Sequence, residues 1–142
     1  MSVFPTKILL ATDGSKDAEL AATTAADLAN STNSELHLAT VAGGRAYTQA
    51  PEEVEDLKQE AQKVVEEQKK KVEEAGGKVA DTHVRVVSAH RAQAIVEVAE
   101  ELGCGLIVMG SRGLGGIRRA LMGSVSDTVV RHAHCPVLIV RH

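Results

Sequence analysis

Residues 106–126 read LIVMGSRGLGGIRRALMGSVS. Leu106 to Met109 form a short, wholly apolar run of the kind found in strands buried on both faces. Gly110, Gly113, Gly115 and Gly116 follow, and a helix is expected to begin after Gly123, at Ser124. Glycine lets the backbone turn through positive φ and lets a ligand approach with no Cβ in the way. Backbone N–H groups in such a loop can form an anion-binding nest, and the next helix start adds unpaired N–H groups and a positive dipole end. Ser124 and Ser126 offer hydroxyl donors, and Arg112, Arg118 and Arg119 offer positive charge. These parts suit a polyphosphate. The common alternatives do not fit. The stretch contains no lysine, so it is not a Walker-type loop, and Gly113-Leu114-Gly115 meets Arg118 where a dinucleotide fingerprint needs glycine.

Outward from this stretch, strand-like and helix-like segments alternate. Lys7 to Thr12 is an apolar run that ends in the turn Asp13-Gly14-Ser15, too poor in glycine to be a dinucleotide fingerprint. Leu20, Thr24, Ala25 and Leu28 recur at helical spacing, and Glu35 to Val41 reads as a second strand. A long helix is predicted from Pro51 to Gly76, with Val54, Leu57, Ala61, Val64, Val65 and Val72 along one stripe. Val79 to Val87 alternates as a third strand suited to a sheet edge, and Ser88 is the expected N-cap of a helix through Ala92, Ile95, Val96, Ala99 and Leu102. After the glycine-rich stretch, a helix at 124–132 and a strand at 137–140 close the chain. The order β-α-β-α-β-α-β-α-β predicts an α/β fold with an open, parallel five-stranded sheet and helices on both faces. In such folds ligands bind beyond the carboxyl ends of the strands, where the strand order reverses.

Composition narrows the function classes. The chain has 142 residues, expected to form a single domain spanning 1–142, with 20 Ala and 18 Val but one Phe, one Tyr and no Trp. The core must therefore be aliphatic. A net charge of −3 and the shortage of aromatic rings exclude a nucleic-acid binder. No apolar run is long enough to span a membrane, and the start MSVFPTKILL has no signal-peptide pattern. With only Cys104 and Cys135, a cytoplasmic, reduced setting is expected. Both cysteines read as small buried residues. His132, His134 and Cys135 invite a metal reading, but a zinc site ordinarily takes about four ligands at more regular spacing.

Gly110-x2-Gly113-x9-Gly123-Ser124 matches G-2x-G-9x-G-[S/T], and the chain here resembles the ATP-binding branch of the universal stress proteins. The flanking segments ATDGS, LIVMGSRG and CPVLIV look like that family too. The resemblance implies a flavodoxin/Rossmann-like sheet of strand order 3-2-1-4-5, which sets the first and fourth strands either side of the switch point. It implies that Asp13 lies by the nucleoside, that Ala11, Thr12 and Ser111 belong to the nucleotide site, and that Val41 meets adenine through its backbone. Met109 and Gly110 would border the ribose, and Arg112, Gly113, Gly123, Ser124, Val125 and Ser126 would surround the phosphates. It also implies a homodimer through the last strand, Val137, Leu138, Ile139 and Val140. The chain departs from the family at Cys104-Gly105, where Ala-Asp is usual, and at Ser88-Ala89-His90, where Gly-x-Pro is usual.

The expected function is an ATP-binding stress-response protein, a nucleotide-dependent regulatory module with Mg2+ or Mn2+ on the phosphates and a regulatory partner that the sequence does not identify. A slow ATPase or phosphotransferase is the first alternative, although no residue stands out as positioning a water. A structural interaction protein with an unused site is the second. For Asp13 the local sequence supports a turn residue and a site residue equally.

Overall fold

The computed structural model describes residues 2–43, 50–111 and 124–141. Arg112, Gly113, Gly123 and the pair Arg118-Arg119 lie outside the described residues. The elements are β1 (Lys7–Ala11), α1 (Lys16–Thr32), β2 (Glu35–Gly43), α2 (Pro51–Glu74), β3 (Asp81–Val87), α3 (Arg91–Leu102), β4 (Leu106–Gly110), α4 (Ser124–His132) and β5 (Val137–Val140). All strand pairs are parallel and their order is β3-β2-β1-β4-β5.

Strand alternation builds two cores. Ile8 and Leu10 of β1, Leu36 and Leu38 of β2 and Val108 of β4 face α1 and α2, where Val65 and Val72 meet them. Leu9, Ala39, Ile107 and Met109 face α3 and α4, where Ile95, Val98 and Val129 meet them. In α1 the buried apolar residues are all alanine, Ala18, Ala21, Ala22, Ala25, Ala26 and Ala29, so the helix can lie close on the sheet. That is how a chain without tryptophan fills its interior: small residues on the helix, Leu, Ile and Val on the strands.

Helix ends follow the expected chemistry with one exception. The Ser15 side chain accepts from Ala18 N at 3.3 Å to cap α1, and Pro51 opens α2. Ser88 does not cap α3. The N-cap is His90, held left-handed at φ 62° with no side-chain cap. The backbone turns two residues later than the hydroxyl suggested, so α3 starts at Arg91 uncapped.

At the far edge, β3 lays His83 against His37 of β2, with ring centroids 5.5 Å apart and Nδ1 of His37 3.3 Å from Nε2 of His83. Nε2 of the buried His37 is 3.2 Å from Oε1 of Glu35. Burial holds the His83 imidazole below its ordinary value; Asp81 and Glu101 oppose this, while His37 and Arg85 add to it. The unfolded chain, with an ordinary His83, therefore binds the proton first. The stabilising contribution is complete above about pH 6.5 and is lost as pH falls through the lower folded value. His83→Gln is expected to flatten stability against pH below about 6.5 in urea titrations. An unchanged slope would remove this pair as a source of acid sensitivity.

Candidate functional site

The first and fourth strands lie side by side, with Ala11 opposite Met109. Beyond them, at the carboxyl edge, the chain departs in opposite directions: β1 into α1 on one face, β4 toward α4 on the other. This is the switch point of the sheet. Ala11, Thr12, Asp13, Met109, Gly110 and Ser111 all come to it from these two strand ends. Val41 sits near the end of β2, half-buried and opposite Arg85 of β3.

The turn after β1 is built from its own side chains. Asp13 Oδ1 accepts from Ser15 N at 2.9 Å, which fixes the turn that starts α1. Asp13 thus has a turn role, and it remains partly exposed at the crevice. Thr12 N donates to Ala39 O at 2.9 Å, and its hydroxyl donates to Oε1 of Gln68 at 3.0 Å. The Thr12 side chain is thereby committed to packing against α2. Gln68 is itself 3 % exposed, so this is a fully interior polar contact.

A second set of hydrogen bonds joins three elements around the end of β4. Ser111 Oγ donates to Oδ2 of Asp17, in the first turn of α1, at 3.2 Å. Ser126 Oγ donates to Ser111 O at 2.9 Å, and Ser111 N donates to Val140 O at 3.0 Å. Asp17, Ser111 and Ser126 are all buried. Gly110 makes this clasp possible, because a Cβ there would stand 2.8 Å from the Asp17 Cβ. Ser126, expected as a phosphate donor, spends its hydroxyl on the clasp, so any part it takes in ligand binding falls to its backbone. Ser124 is exposed and Val125 half-buried at the start of α4. The two ends of the glycine-rich segment, Ser111 and the start of α4, are therefore held together at hydrogen-bond distance.

Asp17 and Gln68 are the two residues of this region that sequence reasoning did not single out. Asp17 reads as an ordinary acid in a first helical turn. Gln68 could have been found, because it falls at the helical repeat between Val65 and Val72 on the apolar stripe of α2.

The remaining chemistry-bearing residues lie elsewhere. His134 pairs with Glu100 through Nε2 and Oε1 at 2.8 Å. Among the described residues no three of His, Cys, Asp or Glu converge as a metal site. Burial first, and the nearby Cys135 second, push the Cys104 thiol up to about 11, and burial also raises Cys135. At neutral pH both stay protonated and poorly nucleophilic. No helix among the described residues is long and apolar enough to cross a membrane.

Fold and crevice together define a doubly wound α/β protein whose switch point lies between β1 and β4. The universal stress protein family matches residues 5–141, and the chain belongs to that family. A universal stress protein of Methanocaldococcus jannaschii is 37 % identical over 141 residues, covering 95 % of this chain and 81 % of the relative. Universal stress protein UspA of Lactobacillus plantarum superposes with a TM-score of 0.82 at 26 % identity, over 97 % of this chain and 99 % of its own. A universal stress protein solved in complex with cAMP superposes at 0.69 with 29 % identity, over 96 % of this chain and 97 % of its own.

Proposed function

We propose that this protein binds ATP at the carboxyl edge of its sheet and works as a nucleotide-dependent regulatory module in a cytoplasmic stress response. The observation that carries the reading is the Asp17–Ser111–Ser126 clasp. It brings both ends of the glycine-rich segment to one place beside the Asp13 turn, as an anion-binding loop requires. The family relative solved with cAMP supports an adenine nucleotide as the ligand class. In this reading Ala11, Asp13 and the backbone of Thr12 lie by the nucleoside and Val41 meets adenine through its backbone. Met109 and Gly110 flank the ribose, and Ser111 to Gly113 with Gly123 to Ser126 hold the phosphates.

A divalent ion, Mg2+ or Mn2+, fits only as a companion of the phosphates. Such ions keep several waters and need one or two protein carboxylates, not a cage. Asp13 and Asp17 are the carboxylates near the crevice. Saturable uptake of ATP by the purified protein tests the reading, and absence of uptake would reject it.

The homodimer belongs to the same proposal. β5 is an edge strand, and its Leu138 is 36 % exposed, a large apolar side chain at an open edge. Pairing of Val137 to Val140 with a second copy would cover it. Leu138→Arg is expected to convert the dimer to monomer in light scattering. A variant with the mass of the wild type would place the interface elsewhere.

A further inference from the structure

Between the start of α3 and the length of α4, from Ser124 to His132, lies an open cavity of about 580 Å3. Its polar walls are His90, Arg91 and Gln93 on one side and Ser124, Thr128 and His132 on the other. Its size falls within the roughly 300–1,000 Å3 typical of small-ligand sites. None of the residues of the Asp13 turn lines it. It shares only Ser124 and Val125 with the site proposed above, so it extends that site from the start of α4 toward α3.

The chemistry of the walls is one-sided. No Asp or Glu is among the described lining residues, although the chain holds 19 acids against 16 Lys and Arg. Asp127, the acid in the first turn of α4, is turned to Arg131 at 3.1 Å. Neither Arg91, His90 nor His132 is ion-paired with a described carboxylate. The His90 side chain does not cap α3 either. A guanidinium fork and two imidazoles thus border one space with no described acid to neutralise them, while Gln93 Nε2 donates to Oε1 of Glu97 at 3.4 Å and the Thr128 hydroxyl donates to Ser124 O at 2.8 Å. Such a wall recognises an anion, and a fork of N–H donors suits phosphate oxygens in particular.

We propose that this cavity seats the outer phosphates of the bound nucleotide, with Arg91 as the specificity-determining residue that favours nucleoside triphosphates over monophosphates and cyclic monophosphates. The inference rests on the nucleotide reading above and adds to it the class of nucleotide. Phosphates leaving the start of α4 enter a space already lined with donors. A nucleotide with a single phosphate ends before it reaches Arg91, so it gains nothing from the cavity.

The test is a calorimetric titration of the full chain with ATP, ADP, AMP and cAMP, repeated with Arg91→Ala and Arg91→Lys. Arg91 is exposed on the first turn of a helix, so both variants should keep the fold. The expected affinity order in the wild type is ATP, then ADP, then AMP and cAMP. Arg91→Ala should weaken ATP by about tenfold or more, the effect of losing one charged hydrogen bond, while AMP is unchanged. Arg91→Lys should recover only part of the loss, because an ammonium cannot form the fork. The assignment is overturned if the wild type binds AMP or cAMP as tightly as ATP, or if Arg91→Ala weakens ATP and AMP equally or neither of them. Failure of the wild type to bind any of the four nucleotides would instead overturn the nucleotide reading itself.

Discussion

Gly110→Val is expected to lower the stability of the protein by about 1–3 kcal/mol and to abolish nucleotide binding. Gly110 ends β4 with its Cα hydrogen against the first turn of α1. A Cβ would stand 2.8 Å from the Asp17 Cβ and 3.2 Å from its backbone carbon. Neither atom is the loose end of a long side chain, so α1 itself would have to shift. That shift pulls Asp17 from Ser111, and Ser111 is the residue whose carbonyl anchors Ser126. The damage therefore reaches the start of α4. Urea unfolding reads the first effect and ATP titration the second. Wild-type affinity in a measurably destabilised variant would show that the clasp serves the fold and has no part in the site.

Gly113→Val combined with Gly123→Val is expected to lower ATP affinity by orders of magnitude while leaving stability close to wild type. Both glycines lie outside the described residues, so the argument rests on their place in the G-2x-G-9x-G-[S/T] pattern and on the chemistry of close approach. Phosphate oxygens that accept from backbone N–H groups must come within about 3 Å of the main chain, and a branched Cβ stands in that space. Valine adds no polar group and glycine has no side chain to lose. Circular dichroism and unfolding should be nearly unchanged, and ATP titration should show the loss. Unchanged affinity would reject the glycine loop as the phosphate site.

The sequence displayed the order of the elements clearly because each carries its own period. Leu106 to Met109 is apolar throughout since β4 is covered on both faces, and α2 shows its stripe because its other side is open to water. Alternation alone leaves the neighbours of each strand open; the 3-2-1-4-5 order came from the family resemblance and is the order observed. Local chemistry misled at Ser88. A capping hydroxyl was present, but the left-handed turn at His90 decides where α3 begins. The clasp was hidden for a different reason. Asp17 and Ser111 are 94 positions apart, and nothing in either neighbourhood marks one as the partner of the other. Gln68 was visible in principle, as a polar residue on an apolar stripe, yet its partner Thr12 is named only by the folded chain.

Aromatic poverty shapes the proposed site as much as the core. With Phe4 and Tyr47 as the only such side chains, adenine in the proposed site would be held by backbone and aliphatic surface such as Val41 and not stacked between rings. Selectivity for the base would then lie in backbone hydrogen bonds near the end of β2, and affinity in the phosphate end.

The most direct measurement is a calorimetric titration of the purified, nucleotide-free protein with ATP in the presence of Mg2+, alongside the Gly113→Val, Gly123→Val double variant. Saturable binding of one ATP per chain, lost in a double variant of unchanged stability, is the predicted result. No heat of binding from the wild type at millimolar ATP, or equal binding by both proteins, would contradict the account.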